Sequence, residues 1–249
     1  MLRYLPLLVF GVCGGCIVTQ PQDTPVSESR QVEPSTGRPY WLYVPSYYSP
    51  RQSWPLVITL HGTHGWDSAH AQIREWKALA EQRGLIVAAP QLKSTQDVLP
   101  VIRSLWAKDL AADEQAVLAT LEEVSSRYHI DGRSILLTGF SAGGYVLYYT
   151  GLRHPDRFSM LIAREASFRD DLLEGLAPSE QALKMPIMIF WGKDEFAPIR
   201  KQSWRAYRRL REQKFVNTRH KEVEGGQLRR PDLAYRFWAE NSARVRAQR

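Results

Sequence analysis

Ser141 stands at the centre of Gly139-Phe140-Ser141-Ala142-Gly143, and its flanks limit the fold more than any other stretch of the chain. The run before it, Ser134-Ile135-Leu136-Leu137-Thr138, is short and apolar, as a buried strand would be. The run after it, residues 144–153, is compatible with a helix. A serine between the two has to sit on a sharp turn, which lifts its hydroxyl off the sheet edge. The small residues on either side leave no bulky side chain where strand and helix approach each other.

The rest of the apolar pattern alternates in the same way. An aromatic-rich strand is expected over residues 38–45, a continuous apolar strand over 55–60, and an amphipathic helix over 70–82 with Ile73, Trp76, Leu79 and Ala80 on one face. A strand follows at 84–89, then a long helix over 110–128. Beyond the Ser141 unit come strands at 160–163 and 186–191, a helix over 199–213, a strand at 220–223 and a last helix over 231–244. Short apolar strands alternating with helices imply an α/β fold with a mostly parallel sheet covered on both faces. The segment 164–185 is short for a lid. A chain of 249 residues, 44% hydrophobic, suits one such domain, placed here at 37–249.

The formal charge is +7, much of it in 200–219 and 229–249, where arginines interleave with apolar residues at helical spacing. That reads as solvated helix faces rather than a nucleic-acid surface, since no recognition motif accompanies it. No metal-ligand spacing or phosphate-cradling loop appears, so no cofactor is expected. The first 15 residues read as an export signal, with Arg3 ahead of an apolar run and small residues at Gly14 and Gly15. Both cysteines, Cys13 and Cys16, fall in or beside this segment, so the mature domain carries no internal disulfide. Gly14-Gly15-Cys16 resembles a bacterial lipoprotein processing site with Cys16 lipidated, which would tether the chain to a membrane; simple secretion is the alternative. Residues 16–36, polar and rich in Pro, Ser and Thr, read as a tether.

In a parallel α/β sheet, ligands bind beyond the carboxyl ends of the strands. Ser141 satisfies that rule. So does the turn His61-Gly62-Thr63 after strand 55–60, where the Thr63 and Ala142 N–H groups are the candidates for stabilising an oxyanion. Asp194, after strand 186–191, is the candidate acid to orient a histidine, with Glu195 beside it as a competitor.

These three stretches, HGT, GFSAGG and WGKDEFAP, together resemble the α/β-hydrolase superfamily in its order Ser, Asp, His. Residues 128–144 are similar to secreted esterases related to polyhydroxybutyrate depolymerases and feruloyl esterases, and to prolyl-oligopeptidase-like peptidases. The resemblance spans roughly residues 37–245 and implies a serine hydrolase acting on small or polymeric esters. It also implies a catalytic histidine after the last strand, in a Gly-Gly-His context. The chain there reads Gly225-Gly226-Gln227. A glutamine amide takes no proton at physiological pH and cannot serve as the general base.

Position in the expected fold removes His129, His154 and His220 as substitutes, since each lies away from the catalytic edge. His61 suits support of the oxyanion turn. His64, in a Gly-bounded loop, is the best candidate for a relocated base. Two readings stay open: an exported serine esterase, or a catalytically impaired binding or scaffold protein on the same fold.

Overall fold

The computed structural model describes residues 27–95, 103–226 and 229–247. Its centre is an eight-stranded sheet in the order β1-β2-β4-β3-β5-β6-β7-β8. β1 (Glu28–Val32) and β2 (Pro39–Tyr43) form an antiparallel hairpin at one edge, and β2 runs antiparallel to β4 (Ile86–Pro90). From β4 onward every pairing is parallel, through β3 (Trp54–Leu60), β5 (Ile130–Phe140), β6 (Met160–Arg164), β7 (Ile187–Gly192) and β8 (Thr218–Val223). This is an α/β-hydrolase sheet.

The central strands are mostly apolar where both of their faces are covered. Successive side chains go to opposite faces. Leu56, Ile58 and Leu60 join one buried cluster while Val57 joins the other, and Ile187 and Ile189 divide from Met188 and Phe190 in the same way. The first cluster packs under α2 (Arg103–Arg127), α3 (Gly143–Arg153) and α5 (Ala197–Glu212), and the second under α1 (Ala69–Arg83) and α6 (Pro231–Ala247). A short helix, α4 (Glu180–Lys184), and a 3-10 turn at Asp170–Leu173 occupy the segment between β6 and β7, so no lid domain is built there.

Two boundaries differ most from expectation. β1 falls inside residues 16–36, assigned from composition to the tether. Its only apolar residue, Val32, is 55% exposed, so no burial pattern marks it; backbone pairing to β2 defines it. The helix α2 begins seven residues before the expected 110, and Trp106 in that extra length packs edge-on against Tyr145 at 5.3 Å. That tertiary contact is invisible to periodicity. The export signal and Cys16 lie outside the described residues.

Candidate active site

Strand order reverses around β3, because β4 lies on one side of it and β5 on the other. Such a switch point opens a crevice at the strand ends. Thr63 follows β3 and Ser141 follows β5, and both line the cleft found there, about 1130 Å³ in volume.

Ser141 has φ +48°, a left-handed conformation that non-glycine residues seldom hold without support. The support is explicit. Its N–H donates to the Arg164 carbonyl at 3.2 Å, and its own carbonyl accepts from Gly144 N–H at 2.9 Å and Ser167 N–H at 2.8 Å. Close backbone approach explains the small neighbours. A Cβ at Gly143 would lie 2.6 Å from the Leu60 carbonyl oxygen and 2.7 Å from that of His61; one at Gly139 would lie 2.6 Å from the Gly143 oxygen. Gly62 presses on the serine itself, since a Cβ there would be 3.2 Å from Ser141 Cβ. The β3 turn and the serine turn are therefore in van der Waals contact. Ala142 is buried beside them at the head of α3, the helix end that favours developing negative charge.

The β3 turn is held by two side chains. His61 is buried, bonds the Gly62 carbonyl through Nδ1 at 2.8 Å, and accepts from Leu92 N–H through Nε2 at 2.9 Å. With Nε2 an acceptor, the proton sits on Nδ1, and burial pushes the ring's pKa down. A neutral, doubly bonded ring of this kind supports the turn. Asp67 accepts from Gly62 N–H at 2.7 Å and from Gln72 Nε2 at 2.8 Å. Arg229 reaches Asp67 at 3.2 Å and Glu75, and donates to the Trp66 carbonyl at 3.1 Å. Beneath them lies Arg164, fully buried, donating to Thr138, Thr59, Gln72 and the Arg229 carbonyl at 2.7–2.9 Å. Burial pulls its pKa to about 10, so it stays charged at neutral pH. This polar network joins the β3 turn to the loop leading into α6, and sequence reasoning missed it.

The loops after β7 and β8 also meet. Lys193 N–H donates to the Val223 carbonyl at 2.8 Å and Asp194 N–H to the Gly225 carbonyl at 3.1 Å. Asp194 is exposed, whereas Glu195 is 4% exposed. One Glu195 oxygen accepts from Phe196 N–H at 2.8 Å; the other is buried without a hydrogen-bond partner among the described residues. Gln227, next along from Gly226, lies outside the described residues.

Among the described residues no histidine lines the cleft. His64 is exposed, its N–H donating to the Thr95 carbonyl at 2.9 Å. His70 stacks on Trp41 and bonds Glu28, His154 bonds Glu114, His129 bonds the Pro50 carbonyl, and His220 sits among Trp191, Trp204 and Tyr207. Trp66 and Phe196, 74% and 70% exposed, and Tyr145 and Ser167 complete a cleft with aromatic walls.

The sequence profile of the Esterase family matches residues 34–224. A bifunctional acetylxylan esterase/xylanase from Neocallimastix patriciarum is 28% identical over 117 residues, which is 47% of this chain and 16% of that protein. The chain thus spans about a sixth of that relative. Among solved structures, a thermostable esterase superposes with a TM-score of 0.62 at 21% identity, covering 86% of this chain and 62% of the other. A CE1 ferulic acid esterase from Anaeromyces mucronatus gives 0.61 at 16% identity, covering 81% and 83%. At those identities the superpositions speak for the fold. The profile match and the serine turn on its switch point make this chain a member of the Esterase family of α/β-hydrolases.

Proposed function

We propose that the chain is an exported serine esterase whose nucleophile is Ser141. The observation that supports this most is the left-handed Ser141 backbone at the mouth of the cleft, with the Gly62–Thr63 turn packed against it. Strain of that kind is retained where the surrounding structure holds it for a purpose. Attack of Ser141 Oγ on an ester carbonyl would place the oxyanion near the Thr63 and Ala142 N–H groups, and the released alcohol would leave an acyl-serine for water to cleave. Of the two acids after β7, Glu195 suits the orienting role better than Asp194, because it is buried and has an oxygen to spare. The aromatic cleft walls and the names of the relatives point to esters on sugar polymers, such as acetyl or feruloyl groups.

A second reading, a hydrolase fold that binds without efficient turnover, is favoured by Gln227 and by the absence of histidine from the cleft among the described residues. Loss of the triad histidine in a model serine protease lowers kcat by about 10⁶ and leaves roughly 10³–10⁴ over water. A fluorophosphonate probe separates the readings. Labelling that disappears in Ser141→Ala supports the enzyme, and a folded wild type that does not label refutes it. Gln227→His should then raise short-chain ester hydrolysis by about 10²–10⁴-fold. If it does not, and His64→Ala abolishes the activity already present, His64 is the base.

Export rests on the leader, and a lipid on Gly14-Gly15-Cys16. Mass spectrometry of the native N-terminus decides the latter: a diacylglyceryl adduct on Cys16 is expected, and an unmodified N-terminus elsewhere rejects it.

A further inference from the structure

A second hollow, about 720 Å³, lies between α5 and β8, the strand at the far edge of the sheet from β1. Trp191 and Trp204 form its apolar part; Arg200, Lys201, Arg205 and Arg208 line it as cations, and Glu222 as the single acid. Trp204 is 42% exposed, yet its ring is fixed, packed on Trp191 at 5.4 Å and on His220 at 4.6 Å between centroids. It is a rigid shelf rather than a loose surface aromatic.

The two elements that form this shelf carry an unusual charge for the molecule, although Arg219 and Lys221 alternate to the other face of β8, where Lys221 lies over the Phe237 ring. Residues 197–223 carry nine Lys or Arg and two Glu, a surplus of seven, equal to the formal +7 of the whole chain. The remainder of the protein is balanced. Some of these cations are engaged: Arg205 and Arg209 with Asp170, and Arg200 with the Lys193 carbonyl. Lys201 and Arg208 are exposed and have no ion pair among the described residues.

We propose that this hollow is a docking site for a carboxylated polysaccharide. The apolar face of a pyranose ring stacks on an indole, and arginine pairs with carboxylate through charge-assisted hydrogen bonds. Glu222 selects among anionic polymers. Sugar hydroxyls donate to a carboxylate, whereas the phosphates of a nucleic acid or a lipid headgroup offer it only repulsion. A concave hollow also suits a narrow chain better than a flat bilayer.

The helix α5 gives the site its consequence. Pro198, Ile199 and Gln202 line the Ser141 cleft, while Ala197, Lys201, Trp204 and Arg208 face the hollow, as the helical period separates them. One helix is the wall of both. A polymer held in the hollow lies about one helix diameter, ~10 Å, from the cleft, so its substituents are presented to Ser141 at high local concentration. This consequence rests on the esterase reading; the docking itself does not.

The test is affinity electrophoresis and calorimetry of the purified chain with polygalacturonate, against neutral dextran, single-stranded DNA and vesicles containing phosphatidylglycerol. Polygalacturonate should retard the protein and dextran should not. Trp204→Ala and the charge reversal Lys201→Glu/Arg208→Glu should each raise Kd about tenfold or more, while Ser141→Ala leaves Kd unchanged. The charge reversal, at two exposed positions, decides the matter if Trp204→Ala does not fold. No retardation, a Kd insensitive to the charge reversal, a Kd altered by Ser141→Ala, or DNA or vesicles bound as tightly as polygalacturonate would each overturn the proposal. Because binding is read without turnover, a chain that docks the polymer but fails to label with fluorophosphonate would refute the esterase reading alone.

Discussion

Arg164 shows how much of the site's stability is concentrated in one side chain. It ends β6 fully buried, donates hydrogen bonds to three side chains, and through the Arg229 carbonyl ties down the loop before α6. Removing the guanidinium leaves the buried oxygens of Thr59, Thr138 and Gln72 each short of a donor, at a cost of about 1–3 kcal/mol. Arg164→Met should lower unfolding free energy in urea by that order, and Arg164→Lys should recover only part, since an ammonium cannot reproduce the planar fork. A loss below about 1 kcal/mol for Arg164→Met would show that the network relaxes around the vacancy. Nothing in the sequence marked this residue. Ser141 was legible because its neighbours had to be small and its flanks had to be strand and helix, both local requirements. Arg164 answers to Thr59, Gln72 and Arg229, partners up to 105 positions away, and no local pattern records such a demand. The acid after β7 lies between these cases. Asp194 and Glu195 are adjacent, and beyond the end of a strand no periodicity says which of two neighbours turns inward; Glu195 is the buried one.

At the scale of elements, the site depends on how closely α3 can approach the end of β3. Gly143 opens α3 directly beneath the Leu60 and His61 carbonyls, where a methyl group would overlap backbone oxygens that no rotamer change can move. Gly143→Ala should cost about 1–3 kcal/mol through overpacking and displace the β3 turn from Ser141. The control is Gly132→Ala, where nothing lies within 4 Å, and which should be neutral or slightly stabilising. If Ser141 is reactive, Gly143→Ala should slow fluorophosphonate labelling even well below its melting temperature. Equal labelling rates in the two variants would mean that the approach matters for stability and not for the site. Elements with two buried faces were readable in the sequence for the same reason that they pack so tightly: β3, β7 and the part of β5 from Ile135 onward are mostly apolar runs. β1 was not, because an edge strand with polar, half-exposed side chains is held by its backbone alone. Reading it as tether placed the beginning of the fold too late by about ten residues.

For the molecule as a whole, six carboxyls are held below their ordinary pKa, and that sets the pH at which the fold weakens. Glu33 is the strongest case. Burial alone would raise its pKa, but hydrogen bonds from Thr36 Oγ1 and from the Thr36 and Ser35 N–H groups outweigh this and hold it at about 2. Glu28 is likewise lowered against burial by bonds from His70 and Lys77, and Asp131 by bonds from Ser134 and Arg133. Glu81 is lowered by Ser46 and Tyr43, Asp170 by Arg205, and Asp232 by Arg230. A carboxyl whose folded pKa is depressed stabilises the fold above its unfolded pKa, and that stabilisation is lost as pH falls toward the folded value. His61 acts earlier in the same sense. Its pKa is lowered by burial, so the unfolded chain takes up a proton near pH 6.5 that the folded ring refuses. Melting temperature should therefore be level from about pH 7 to 9, decline gently below that as unfolded His61 protonates, and fall steeply below about 4.5 as the carboxyls do. Glu33→Gln isolates one contribution. At neutral pH it should cost about 1–3 kcal/mol, the range for hydrogen bonds to a charged acceptor. The gap to wild type should then narrow as pH falls toward 2 and close below it, where both chains carry a neutral group at that position. A gap that stays constant from pH 7 to pH 2 would mean that the Glu33 loop is held by its backbone turn, and that the carboxylate contributes nothing to the fold.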